Sequence, residues 1–178
     1  MKIAIVGPGA MGCLFTAFLS KTKNEIWVLE KNKERAEKFN QEGITVEGVS
    51  GNLKTPVKVV TDAEKIGATD LVIMCVKAYH TKEATAHAKP LIGENTSVLT
   101  LQNGIGNIEI IAEVVGSDKV IGGVTNEGAT LLDVGHIRHA GRGETIIGRI
   151  DGKIPVEMRS IREVFNKAGF HTRISRDI

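Results

Sequence analysis

The stretch that most constrains this chain is its first twenty-one residues. A short apolar run, Lys2-Ile3-Ala4-Ile5-Val6, leads directly into Gly7-Pro8-Gly9-Ala10-Met11-Gly12. Leu14, Phe15, Phe18 and Leu19 then recur at helical spacing, which predicts a helix over 10–21. The order is strand, G-x-G-x-x-G, helix. Each glycine has a physical task in that context. Gly7 permits a tight turn out of the strand, Gly9 lets backbone approach a pyrophosphate, and Gly12 lets the helix pack close to the strand. The helix start adds free N–H groups and partial positive charge. The expectation is a dinucleotide site.

The rest of the chain repeats the alternation. Glu25–Leu29 reads as a second strand, followed by a charged helix over 33–41 that Gly43 closes. Residues 44–47 and 57–60 read as short strands around a turn at Val49-Ser50-Gly51-Asn52. Leu71-Val72-Ile73-Met74-Cys75-Val76 is a continuous apolar run and reads as a central parallel strand. A helix is predicted over 79–91, a strand over 97–101, a helix over 108–115 and a strand over 120–123. Residues 125–150 are glycine-rich with short β-like runs, read as antiparallel strands added to the sheet edge. A helix over 155–167, between Pro155 and Gly169, and a strand over 170–174 complete the pattern. This is an α/β chain, a Rossmann-type doubly wound parallel sheet with added antiparallel edge strands. Residues 1–174 form one nucleotide-binding domain. Ser175 and Asp177 suit the cap of a following helix, so 175–178 read as the start of a linker to a helical domain.

Composition narrows the partners. A net charge of +2 and the lack of a basic run interleaved with aromatics give no case for nucleic acid or a membrane surface. The apolar N-terminus is broken by Gly-Pro-Gly and has only Lys2 as a basic flank, unlike a signal peptide. Cys13 and Cys75 fall in a helix and a strand, which predicts buried reduced thiols and a cytoplasmic protein. His136 and His139 are three apart and face opposite sides of a strand, so no metal site is expected.

Ligands of such sheets bind at the carboxyl ends of the strands. Four segments meet there: Gly7–Gly12, Glu30–Lys33, Val76–His80 and Gln102–Gly106. Glu30 can accept from adenosine ribose hydroxyls, which favours NAD(H). Lys31, Lys33 and Arg35 behind it favour the 2′-phosphate of NADP(H), though Lys33 and Arg35 taken singly read as a solvated helix face. Lys77, at the end of a buried strand, is placed to hold a cofactor ribose or polarise a substrate. Asn103 can donate to and accept from the nicotinamide ribose or substrate, and Asn103-Gly104 also suits a turn with positive φ.

Taken together, Gly7-Pro8-Gly9-Ala10-Met11-Gly12, Cys75-Val76-Lys77-Ala78-Tyr79, Leu101-Gln102-Asn103-Gly104-Ile105-Gly106, Gly123-Val124-Thr125-Asn126-Glu127-Gly128-Ala129-Thr130 and His136-Ile137-Arg138-His139-Ala140-Gly141 resemble the ketopantoate reductase family. The resemblance implies reduction of 2-dehydropantoate to pantoate with NADP(H), in the route to pantothenate and coenzyme A. It implies a second, helical domain whose lysine, beyond Ile178, acts as general acid. Lys77 would position nicotinamide and substrate, and Asn103 would bind both. Val76 and His80 would line the adenine side, and Lys31 would stand where the family carries an arginine for the 2′-phosphate. Expected partners are a small 2-keto acid and, if apolar surface is left at the ligand edge, a second copy in a homodimer. The other readings are a stand-alone NAD(P)-binding sensor and a related dehydrogenase of 2-keto or 3-hydroxy acids.

Overall fold

The structure is a computed structural model and describes residues 1–178. The first strand, β1 (Lys2–Val6), shows why the chain folds as layers. Ile3 and Ile5 face one side, Ala4 and Val6 the other, and all four are buried. From there run α1 (Ala10–Leu19), β2 (Glu25–Leu29), α2 (Lys33–Glu42), β3 (Ile44–Gly48), β4 (Leu53–Thr55) and β5 (Val59–Val60). Next come β6 (Thr69–Met74), α3 (Thr81–His87), β7 (Ile92–Thr100), α4 (Asn107–Val115) and β8 (Val120–Thr125). The chain closes with β9 (Gly128–Asp133), β10 (His136–Gly141), β11 (Glu144–Gly148), α5 (Val156–Ala168) and β12 (His171–Ile174). No helix is long and apolar enough to cross a membrane.

Eight strands form the main sheet in the order β12-β11-β8-β7-β6-β1-β2-β5. Pairing is parallel from β8 to β5, while β11 lies antiparallel to β8. The order reverses beside β1, between β2 and β6, which puts a crevice above the glycine loop. One face is covered by α1 and α5, with Phe15, Phe165 and Phe170 meeting ring against ring. The other buries Val72, Met74 and Val98 with Leu91 and Ile111.

Three details of the chain depart from the sequence expectation. First, only β11 of the glycine-rich 125–150 region joins the main sheet's edge. β9 and β10 pair with β3 and β4 in a separate four-stranded sheet, order β4-β3-β10-β9, laid against α1. Second, the hairpin after Ser50 pairs β3 with β4, whereas Val59–Val60 extends the main sheet beside β2. Third, the helix expected over 79–91 is one α-helical stretch, α3, between 3-10 turns at Ala78–His80 and Lys89–Leu91. Pro90 sits in the second turn and lacks the N–H a longer helix would need.

His139 fastens the second sheet to α1. It is buried, with Nε2 2.7 Å from Glu127 Oε2 and Nδ1 3.0 Å from Ser50 Oγ. Its ring stands edge-on to Phe18 of α1. His136 faces the other way, half-exposed beside Glu47. No cluster of metal-ligating side chains exists.

Both outer strands of the main sheet are sealed by an asparagine. The outward Val59 N–H donates to Asn40 Oδ1 (2.9 Å), and its carbonyl accepts from Asn40 Nδ2 (2.8 Å). Thr172 makes the same pair with Asn166, at 2.9 and 3.1 Å. Each amide occupies the positions a further strand would take.

Candidate active site

The glycine loop has the shape the motif requires. Gly7 has φ +88°, a left-handed conformation, and a Cβ there would come within 2.5 Å of Val76 Cγ1. A Cβ on Gly12 would overlap the Gly7 carbonyl oxygen, so strand end and helix touch through backbone. Beside Gly9 the space is open: nothing lies within 4 Å of where its Cβ would stand. Gly9 begins α1 with no side-chain cap, leaving first-turn N–H groups free to meet an anion. Pro8 is buried in the loop, and Ala10 and Met11 open α1 half-buried. Cys13 lies beneath, its thiol 3.5 Å from the Pro8 carbonyl, and burial pushes its pKa up to about 12. Cys75, expected to be buried, is only partly so, yet the packing around it raises its thiol as well. Neither sulfur is a nucleophile here.

Glu30, at the end of β2, is buried and already engaged. Oε1 accepts from Asn32 N–H (3.0 Å) and Oε2 from Arg35 Nε (2.8 Å). Arg35 also donates to the Pro8 carbonyl (3.3 Å). It is therefore no solvated helix residue, and it binds α2 to the glycine loop 27 residues away. Sequence periodicity carried no signal for this, because the contact depends on how the two loops meet in space. Lys33 does face solvent, paired only with Glu37 at 3.9 Å. Lys31 is exposed and lies 3.8 Å from Glu83, whose other oxygen is 3.6 Å from His80 Nδ1.

A cavity of about 150 Å³ opens between these residues. Gly7, Leu29, Glu30 and Lys31 line one side, and Val76, His80, Glu83 and His87 the other. It thus collects residues from three of the four segments expected at this edge. A larger groove of about 820 Å³ begins at the fourth segment, Gln102–Gly106, and continues past Asn126 to Asp177 and Ile178. Lys77 stands at the head of the 3-10 turn after β6, with an exposed side chain. Asn103 is exposed on the groove. The positive φ angles of its loop belong to Gly104 (+99°) and Gly106 (+92°), and no residue other than glycine has one. Asn103 therefore does not adopt the conformation its Asn-Gly sequence suggested. Ile105, Val124 and Ile178 leave apolar surface at the same edge.

Between the two openings, the loops bearing Lys77 and Asn103 are joined by Gln102, whose Nε2 donates to the Val76 carbonyl at 2.7 Å. Thr81 and Asn107 carry no signal for this in the sequence, and Gln102 stands there only as the first residue of the Gln102–Gly106 segment. A buried helix-start threonine facing an asparagine and a glutamine from the next crossover is recognisable only once the strands are ordered.

This arrangement has counterparts among known proteins. Residues 3–152 match the family model described as "Ketopantoate reductase PanE/ApbA". The 2-dehydropantoate 2-reductase of Aquifex aeolicus is 39% identical over 181 residues, covering all of this chain and 56% of the relative. The crystal structure of 2-dehydropantoate 2-reductase from Geobacter metallireducens superposes with a TM-score of 0.92 at 30% identity, covering 99% of this chain and 58% of that one. The ternary structure of D-mandelate dehydrogenase with NADH and anilino(oxo)acetate gives 0.90 at 26%, covering 98% and 57%. The chain spans a little over half the length of these relatives.

Proposed function

The chain belongs to the ketopantoate reductase family, and from that we propose that it is the cofactor-binding part of an NADPH-dependent enzyme reducing 2-dehydropantoate to pantoate. The observation that carries this reading is that one sheet edge bears an open helix start at Gly9, a cavity walled by Val76 and His80, and, on two successive loops joined through Gln102, the exposed Lys77 and Asn103. Ligands of doubly wound sheets bind at the carboxyl ends of the strands, which is this edge.

The residues suit a dinucleotide. The open backbone at Gly9 and the N–H groups of Ala10, Met11 and Gly12 would hold the pyrophosphate, as Gly7 and Pro8 shape the turn beneath it. The adenosine would enter the cavity between Glu30 and His80, with Lys31 as the cation nearest a 2′-phosphate. Lys31 supplies charge without the planar fork of an arginine. The nicotinamide, when bound, supplies the hydride. Lys77 orients that ring and the keto acid, and its charge draws in the substrate carboxylate. Asn103 holds cofactor and substrate through its amide. The proton for the developing alkoxide comes from a lysine outside residues 1–178. In this reading residues 1–174 are the nucleotide domain and 175–178 lead into a helical one. The enzyme works in the cytoplasm on a small 2-keto acid. The apolar surface at Ile105, Val124 and Ile178 meets the helical domain or a second copy in a homodimer.

A second reading, an NADH-dependent reductase of another 2-keto acid, is favoured by one observation, the carboxylate of Glu30 on the cavity wall. Titration of the 178-residue chain with NADPH and NADH, followed by nicotinamide fluorescence, separates the two. The first reading expects tighter NADPH binding that weakens in Lys31→Ala. Tighter NADH binding that weakens in Glu30→Ala supports the second. Binding of neither overturns both.

A further inference from the structure

Lys77 and Asn103 come from successive crossovers, and nothing in the parallel pairing of β6 with β7 fixes how their loops lie beyond the strand ends. A closed set of side-chain hydrogen bonds does. Gln102 Nε2 donates to the Val76 carbonyl (2.7 Å) and to Thr81 Oγ1 (2.9 Å), while its Oε1 accepts from Thr100 Oγ1 (3.0 Å). Thr81 Oγ1 donates to Asn107 Oδ1 (2.9 Å). Asn107 Nδ2 donates to the carbonyls of Asn103 and Gly104, both at 3.2 Å.

The directions are forced. Carbonyl oxygens only accept, so the atoms facing Val76, Asn103 and Gly104 must be amide nitrogens, which fixes both amides. Both hydrogens of each amide nitrogen are then used. Thr81 is left as the single hinge between them, accepting from Gln102 and donating to Asn107. Its hydroxyl is at the start of α3 yet caps no backbone of its own helix. Thr81 and Asn107 are buried, and no buried side-chain polar atom in the chain lacks a partner. A satisfied buried network of this kind admits one arrangement. Its two ends are the carbonyl just before Lys77 and the carbonyl of Asn103 itself.

We infer that Thr81, Gln102 and Asn107 are positioning residues that set the Lys77-to-Asn103 spacing for the nicotinamide end of the cofactor. The inference rests on the dinucleotide reading given above. Thr81 touches neither ligand; it acts through the two loops. Its replacement by valine leaves a Gln102 N–H and the Asn107 Oδ1 facing a methyl group, so both loops must shift. Hydrogen bonds from those loops to the nicotinamide ribose are then misaligned, and losing one is worth about tenfold in affinity.

The test compares two probes on the 178-residue chain: NADPH, and 2′-phospho-ADP-ribose, which has every part of NADPH except the nicotinamide. Thr81→Val is expected to weaken NADPH about tenfold or more and the ribose probe by a clearly smaller factor, because Val76 and His80 also wall the adenosine cavity. Thr81→Ser, which keeps the hydroxyl, restores NADPH binding. Equal loss for both probes, or loss for neither, overturns the inference while leaving the dinucleotide reading intact. Should the wild-type chain bind neither probe, the dinucleotide reading falls and takes the inference with it. Gln102→Met, at a half-buried position, makes the same comparison if Thr81→Val does not fold.

Discussion

Arg35 holds Glu30 at 2.8 Å and, through its other arm, the carbonyl of Pro8. One guanidinium therefore ties the end of β2, the start of α2 and the glycine loop together. Arg35→Ala leaves a buried carboxylate with only the Asn32 N–H. A loss of about 2 kcal/mol is expected, below the full cost of breaking a buried pair because Arg35 is partly exposed. Urea unfolding measures it. Nucleotide affinity should fall as well, and Arg35→Lys should not recover it, since an ammonium cannot make both contacts in one plane.

Gly9 and Gly12 make opposite predictions. Gly9→Ala adds a methyl group in open space at a φ of −77°. Its stability should match the parent within about 0.5 kcal/mol, while NADPH binding drops because the phosphate must approach that spot. Gly12→Ala pushes a methyl group into the Gly7 carbonyl. It should cost about 2 kcal/mol or more in stability, with binding lost as a consequence. Calorimetry beside NADPH titration distinguishes the two patterns.

Acid should loosen the second sheet before the first. Glu47 on β3 is held below its ordinary value of 4.5 by hydrogen bonds from Arg138 and then His136 on β10. Asp133 on β9 is likewise lowered by Lys38 of α2 and by the Val134 N–H. A depressed carboxylate stabilises the fold above its unfolded pKa, and that contribution is lost as pH falls through the folded value. The partner Lys38 is raised by the same contact, so its share fades only as pH rises through a value above 10.5. Amide exchange in β9 and β10 should therefore quicken below the ordinary carboxylate range. Glu47→Gln should remove much of that pH dependence.

The two thiols should be silent in the folded chain. At pH 8 a disulfide reagent is expected to titrate neither Cys13 nor Cys75 until denaturant is added, when both react. Burial keeps them protonated, and the thiolate is the attacking form. Rapid labelling of Cys13 under native conditions would refute its packing against the Pro8 carbonyl.

The asparagine seals predict how the chain fails. Asn40→Ala and Asn166→Ala each delete two hydrogen bonds, about 2 kcal/mol, and free an outward N–H and carbonyl on an edge strand. The double variant should self-associate with rising concentration, seen by light scattering, with a gain in β signal. A monodisperse double variant would show that the edges are protected in some other way.

Local pattern made half of this architecture readable. The step from β1 through the loop to α1, the apolar run of β6, and α5 between Pro155 and Gly169 are each decided by neighbours a few residues apart. The second sheet was not readable, because β3 and β10 pair across some ninety positions and alternation says nothing about which strand a strand will choose. The candidate site divides the same way. Lys77 and Asn103 announce themselves as polar residues ending apolar strands. Arg35 resembles any helix-surface cation until the fold returns it to Pro8. Thr81 resembles any helix-start threonine until Gln102 and Asn107 arrive.

The buried contact of His139 with Glu127, Ser50 and Phe18 draws on four separate stretches of the chain. That interlocks the second sheet with α1. A β3–β4 turn lacking the Ser50 hydroxyl would leave Nδ1 without its partner, and an α1 lacking the Phe18 ring would strip the face of the imidazole. A change at any one of the four positions is therefore felt at the other three.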